Sequence, residues 1–261
     1  MSTVISKDGT SIAFTKSGTG PSFILIDGAF CSKDFGPMVK LVPVLSKHFT
    51  VYTYDRRARG ESGDTPPYAI QREIEDIEAL IKKAGGSAAV FAISSGAILA
   101  LQAVASGLNI KKLALLEPPF VGNKNATRAI NAFQQLTQLI ADGRKEAACK
   151  FYLRKVIGLP AIIPFFLSFT KDWSKMKANA NSLPYDAALC GDFSIPKELL
   201  PNVTIPSIVI ASTKSPKSLR EPAKEVAELL PEGRHLTLNG GIHEVPPEIL
   251  VPALVDFYDG N

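Results

Sequence analysis

Cysteine is scarce, with three in 261 residues, at Cys31, Cys149 and Cys190. Their spacing fits neither a disulfide framework nor a zinc pattern, which points to a reducing compartment or to indifferent thiols. An excess of one charge is also lacking. Lys and Arg total 29 against 25 Asp and Glu, a formal net charge of +4, and the basic residues are scattered. That argues against a nucleic-acid partner, which needs a dense basic face. Long apolar runs are missing as well. The most apolar stretch, residues 156–169, is interrupted by Pro160 and Pro164, and is too short and too broken to span a bilayer. No charged-then-apolar leader opens the chain, so no membrane segment and a cytoplasmic location are expected. What remains is a composition 46% hydrophobic, enough for one large domain with an insertion.

Short apolar runs alternate with amphipathic stretches along most of the chain. Residues 22–26, 49–54, 88–93, 112–116 and 205–211 read as buried strands. Residues 35–46, 70–84, 219–230 and 247–258 carry helical periodicity; Ile70, Ile74, Ile77, Leu80 and Ile81, for example, share one face. Lys7-Asp8-Gly9-Thr10 reads as a hairpin turn between two N-terminal strands. This pattern predicts an α/β fold with a mostly parallel central sheet and helices on both faces. Alternation stops over residues 120–196, expected to form a helical cap between the core segments 1–119 and 197–261. In the cap, Phe165, Phe166, Phe169 and Trp173 are expected to line an acyl pocket or to pack the cap itself.

The stretch 88–101, AAVFAISSGAILAL, passes from a strand through two serines into a helix. Ala92-Ile93-Ser94-Ser95-Gly96 has the spacing of a nucleophile elbow, G-x-S-x-G, with Ala for the first Gly. Lifting Ser94 out of the sheet requires small residues two before and two after it. The turn puts Ser94 at a helix N-terminus, where developing negative charge is favoured. The N–H of Ser95 is then one oxyanion donor. Taken alone, the pentapeptide also reads as a helix start with Ser94 as N-cap. Other polar loops, 27–30, 55–62, 117–119 and 239–244, fall at the carboxyl ends of expected strands, where such sheets bind ligands.

Four segments together, Ile24–Phe30, the DRRARGES run at Asp55–Ser62, the elbow Ala92–Gly96, and Gly240-Gly241-Ile242-His243, resemble the α/β-hydrolase superfamily, of the proline-iminopeptidase, haloperoxidase and esterase type. The resemblance covers nearly the whole chain. It implies a cofactor-free serine hydrolase that binds no metal and acts on a small-molecule acyl substrate, an ester or lactone, through an acyl-enzyme. By this resemblance His243 is the base and Ser94 the nucleophile. The oxyanion donors are the backbone N–H of Ser95 and that of Ala29 or Phe30. The family's His-Gly in this loop is Asp27-Gly28 here. Cys31 beside it reads as a buried small hydrophobe, with a reactive thiol as the alternative. Ser215 occupies the family's usual acid position and cannot balance an imidazolium. Some members carry the acid after the preceding core strand, where Glu117 stands; the alternative is a solvated carboxylate or an ion pair with an arginine of 55–62. The charges of 55–62 are expected to bind one another, with an anion site as the alternative. Amide or C–C hydrolysis, acyl transfer, or a hydrolase-fold binding protein with little turnover compete with ester hydrolysis.

Overall fold

The computed structural model describes residues 2–120 and 131–260. Eight strands form one sheet: β1 (Ser2–Ile5), β2 (Ser11–Ser17), β3 (Ser22–Ile26), β4 (Thr50–Tyr54), β5 (Ala88–Ile93), β6 (Ile110–Leu116), β7 (Ser207–Ser212) and β8 (Gly233–Leu238). Their spatial order is β1-β2-β4-β3-β5-β6-β7-β8. The two N-terminal pairings are antiparallel and the rest parallel. The central strands β3, β5 and β7 are apolar apart from serines at their ends because both faces are covered. Alternate residues feed two separate cores. Ile24 and Ile26, Val90 and Ala92, Leu113 and Leu115 pack in one; Phe23 and Leu25, Phe91 and Ile93, Ala114 and Leu116 pack in the other.

The first core takes the apolar faces of α2 (Ile70–Lys83), α3 (Ser95–Ala105) and α9 (Lys217–Leu229). The second takes α1 (Met38–Leu45) and α10 (Pro247–Asp259). The Tyr258 hydroxyl donates to the Val90 carbonyl, tying the last helix to the elbow strand. Helix α1 starts three residues later than periodicity suggests. Ser32 and Phe35 exchange backbone hydrogen bonds, and Gly36-Pro37 then resets the chain direction.

Between β6 and β7 run α4 (Ala132–Ala141), α5 (Lys145–Phe151), α6 (Ile162–Leu167), α7 (Lys171–Ala178) and α8 (Leu183–Cys190). Residues 121–130, the start of the expected cap, lie outside the described residues. Trp173 is buried, but the three phenylalanines depart from expectation. Phe165, Phe166 and Phe169 are 51%, 63% and 74% exposed and line no cavity over the elbow. Helix α6 has six residues and buries Pro164, which leaves its aromatic side chains outside. No helix among the described residues is long and apolar enough to cross a membrane.

Candidate active site

Strand β5 ends at Ile93, and the chain turns sharply into α3 at Ser94, with φ 57° and ψ −131°. A non-glycine residue there costs about 1–3 kcal/mol and persists only when its surroundings enforce it. Here they do. A Cβ on Gly28 would stand 2.8 Å from Ser94 Cβ, and one on Gly96 would stand 2.6 Å from the carbonyl oxygens of Ile26 and Asp27. Both positions must be glycine for the loop after β3 to approach the elbow. Ala92, the other small residue the turn requires, is fully buried. Ser95 opens α3, so its N–H has no partner within the helix.

Strands β5 and β6 are in register, Ile93 beside Leu116, so Ser94 and Glu117 leave the sheet side by side. The Ser94 N–H donates to Leu116 O, and the Glu117 N–H to Ile210 O. Glu117 is fully buried and, at φ 45° directly before Pro118, also strained. One carboxylate oxygen, Oε2, lies 2.7 Å from His243 Nδ1, and Oε1 accepts the Ser212 N–H at 2.8 Å. Burial pushes the Glu117 pKa up. The His243 ring, the Ser215 hydroxyl and the Ser212 amide outweigh burial and hold it below the ordinary carboxylate range. The ionised carboxylate therefore accepts from Nδ1–H, which fixes the tautomer with Nε2 unprotonated. No arginine pairs with Glu117 among the described residues.

Ser215 has a role that sequence reasoning did not assign. Its Oγ accepts the His243 N–H at 2.8 Å, and the same hydroxyl helps to lower the Glu117 pKa. The residue at the family's usual acid position thus holds the backbone of the loop that carries His243. Ser212 Oγ donates to Gly241 O and holds the same loop. Of the other histidines, His48 is exposed, and His235 lies on β8 in a different cavity. Phe30, Ser94, Glu117 and His243 all have positive φ, four of the seven non-glycine residues that do among the described residues. Such clustering of strain is typical of functional sites.

The three arginines of the 55–62 loop all pair with carboxylates of the protein itself. Arg57 pairs with Asp76 and Asp8. Arg56 holds Glu73 in a two-point contact at 2.7 and 2.8 Å, and reaches Asp186 Oδ1 at 2.8 Å. Arg59 Nη2 reaches Asp186 Oδ2 at 2.6 Å, and Ser95 Oγ donates to Asp186 Oδ1 at 2.7 Å. Burial raises the Asp186 pKa, but Arg59 and Arg56 outweigh it and keep the group ionised. Asp186 therefore joins α8, the elbow and the arginine loop. No local motif marks it; three buried arginines only imply that buried carboxylates exist.

The same arginines set the loop after β3. Arg59 Nη1 donates to Gly28 O at 2.5 Å and to Cys31 O at 3.2 Å, and Asn179 Nδ2 donates to Phe30 O at 2.9 Å. The peptide is planar and trans, so pinning the Gly28 carbonyl points the Ala29 N–H the opposite way, clear of the buried arginine. A cavity of about 640 Å³ opens there, lined by Gly28, Ala29, Phe30, Ser94 and His243, with Ile157 and Lys175 from the helical segment. Burial drives the Cys31 thiol pKa well up, with the Asp27 carboxylate adding to it, so Cys31 is a neutral thiol.

Asp27 replaces the family's histidine and is buried, with Oδ1 unpartnered. Burial pushes its pKa from 3.8 to about 7 against the pull of Arg59. The folded state then binds a proton that the unfolded chain has lost, so stability falls as pH rises from 3.8 to about 7. Asp27→Asn removes that dependence. Its melting temperature should gain on wild type between about pH 5 and pH 8, by the equivalent of roughly 3 kcal/mol. An equal difference between the two proteins at both pH values would show that Asp27 does not titrate in this range.

Residues 18–248 match the sequence model of the alpha/beta hydrolase family. The chain is similar to an alpha/beta hydrolase from Sphaerobacter thermophilus, with 41% identity over 98% of this chain and 100% of that one, TM-score 0.91. It shares its fold with a thermophilic esterase from Thermogutta terrifontis at 17% identity, covering 99% and 96% of the two chains, TM-score 0.75. The enol-lactonase from Burkholderia xenovorans LB400 is similar at 20% identity over 99% and 100%, TM-score 0.66.

Proposed function

The chain belongs to the alpha/beta hydrolase family, and from that premise we propose that it is a serine hydrolase that cleaves an ester or lactone through an acyl-enzyme. The observation that carries the reading is the 2.7 Å contact between His243 Nδ1 and Glu117 Oε2, at a cavity that His243 shares with Ser94. Ser94 Oγ attacks the acyl carbon while His243 Nε2 takes its proton. Glu117 holds the tautomer and balances the imidazolium. The N–H groups of Ala29 and Ser95 receive the oxyanion; the pinned Gly28 carbonyl favours Ala29 over Phe30 as the first donor. His243 then protonates the leaving group, and water, activated by the same imidazole, releases the acid. No step needs a metal or cofactor. Core segments 1–119 and 197–261 carry this machinery. The cap, 120–196, shapes the acyl site through Ile157, Asp172 and Lys175.

A fluorophosphonate probe tests this reading. It should label Ser94 stoichiometrically in folded protein, with the adduct found on the peptide that contains the elbow. Folded protein that stays unlabelled would favour the competing reading, a hydrolase-fold binding protein with little turnover.

A further inference from the structure

Ten large apolar residues are exposed among the described residues, and six of them fall within residues 157–169. Scattered singly they would need no explanation; clustered they do. Phe165 meets Phe166 and Phe169 edge-on, with ring centroids 5.5 and 5.2 Å apart, so these rings cover one another and little else. The stretch 156–169 contains no charged residue. Arg154 and Lys155 precede it and Lys171 and Lys175 follow, all exposed, with Asp172 the one acid among them. None of the four cations pairs with a carboxylate among the described residues. We propose that this tip docks on the surface of an anionic lipid bilayer, its phenylalanines entering the headgroup boundary and its basic collar meeting the lipid phosphates.

Charge selects this occupant over a second copy of the chain. Two copies meeting tip to tip would bring like-charged collars together, whereas an anionic surface neutralises them. Length agrees. Helix α6 has six residues, about 9 Å, which suits insertion into an interface and not passage through it. Ile157 belongs to both the tip and the wall of the cavity over Ser94, so docking would turn the cavity mouth toward the lipid. The proposal does not depend on turnover at Ser94.

Cosedimentation tests it, using phosphatidylcholine vesicles with and without phosphatidylglycerol. Wild type should pellet with the phosphatidylglycerol vesicles at least about tenfold more than with phosphatidylcholine alone, and release in high salt. Phe165→Ser/Phe166→Ser/Phe169→Ser, and separately Lys155→Glu/Lys171→Glu, should both stay in the supernatant while keeping wild-type circular dichroism. Wild type that pellets with neither vesicle overturns the proposal, as does a triple variant that pellets like wild type. Equal pelleting with both vesicle types overturns the anionic assignment. A wild-type dimer that the triple variant converts to monomer, with no vesicle binding, assigns the face to a second copy instead.

Discussion

Ser94→Ala should reduce hydrolysis of a short-chain ester by about 10⁴–10⁶-fold and leave the melting temperature unchanged within about a degree. The loss is large because covalent catalysis has no substitute nucleophile at the elbow. Ser95, the adjacent hydroxyl, is buried and already donates to Asp186. The fold should not notice the change. Alanine keeps the Cβ that packs against Gly28, and the backbone strain at φ 57° is the same for both residues. The Ser94 hydroxyl makes no side-chain hydrogen bond among the described residues. Residual activity above about a hundredth of wild type would place the nucleophile elsewhere. A fall in melting temperature of several degrees would give Ser94 a structural role.

Glu117→Gln should cost about 10⁴-fold in turnover with a near-normal KM. The geometry shows how. Oε1 accepts the Ser212 N–H, a contact only the amide oxygen of glutamine can keep. Its NH₂ is then forced into the Oε2 position, facing His243 Nδ1. Two donors cannot meet there, so the imidazole must move its proton to Nε2, the atom that has to accept from Ser94. The variant stays folded because the Ser212 contact survives. Acid sensitivity gives a second readout. The folded pKa of Glu117 lies below its unfolded value, so its contribution is complete above about pH 4.5 and is lost as pH falls through the folded pKa. Glu117→Gln should flatten that part of the acid-unfolding curve. A variant retaining more than about a tenth of wild-type turnover would remove Glu117 from the mechanism.

The exposed phenylalanines show where sequence reasoning stops. Aromatic residues beside prolines in an apolar run read as core or pocket, and nothing in a short window shows that α6 turns these aromatic side chains outward. The arginine loop was legible only in kind. Three arginines and an aspartate in eight residues imply internal pairing, but the partners Glu73, Asp76 and Asp186 come from other elements.

By itself the sequence determined the parts whose physics is local. Strands announce themselves as short apolar runs, helices as a 3.6-residue period, and the elbow as a serine between residues small enough to let two backbones meet. Together these specify a mostly parallel sheet and place the polar loops at its carboxyl edge. Only the tertiary structure decided which of those loops touch. Glu117 and His243 are 126 positions apart, and Ser95 and Asp186 are 91 apart. The Glu117–His243 contact depends on the strand order β5-β6-β7-β8 and on the Ile93–Leu116–Ile210 register. Ser215, at the family's acid position, is set against the His243 backbone N–H. Strand order and register are collective outcomes of packing both faces of the sheet, and no window of residues contains them.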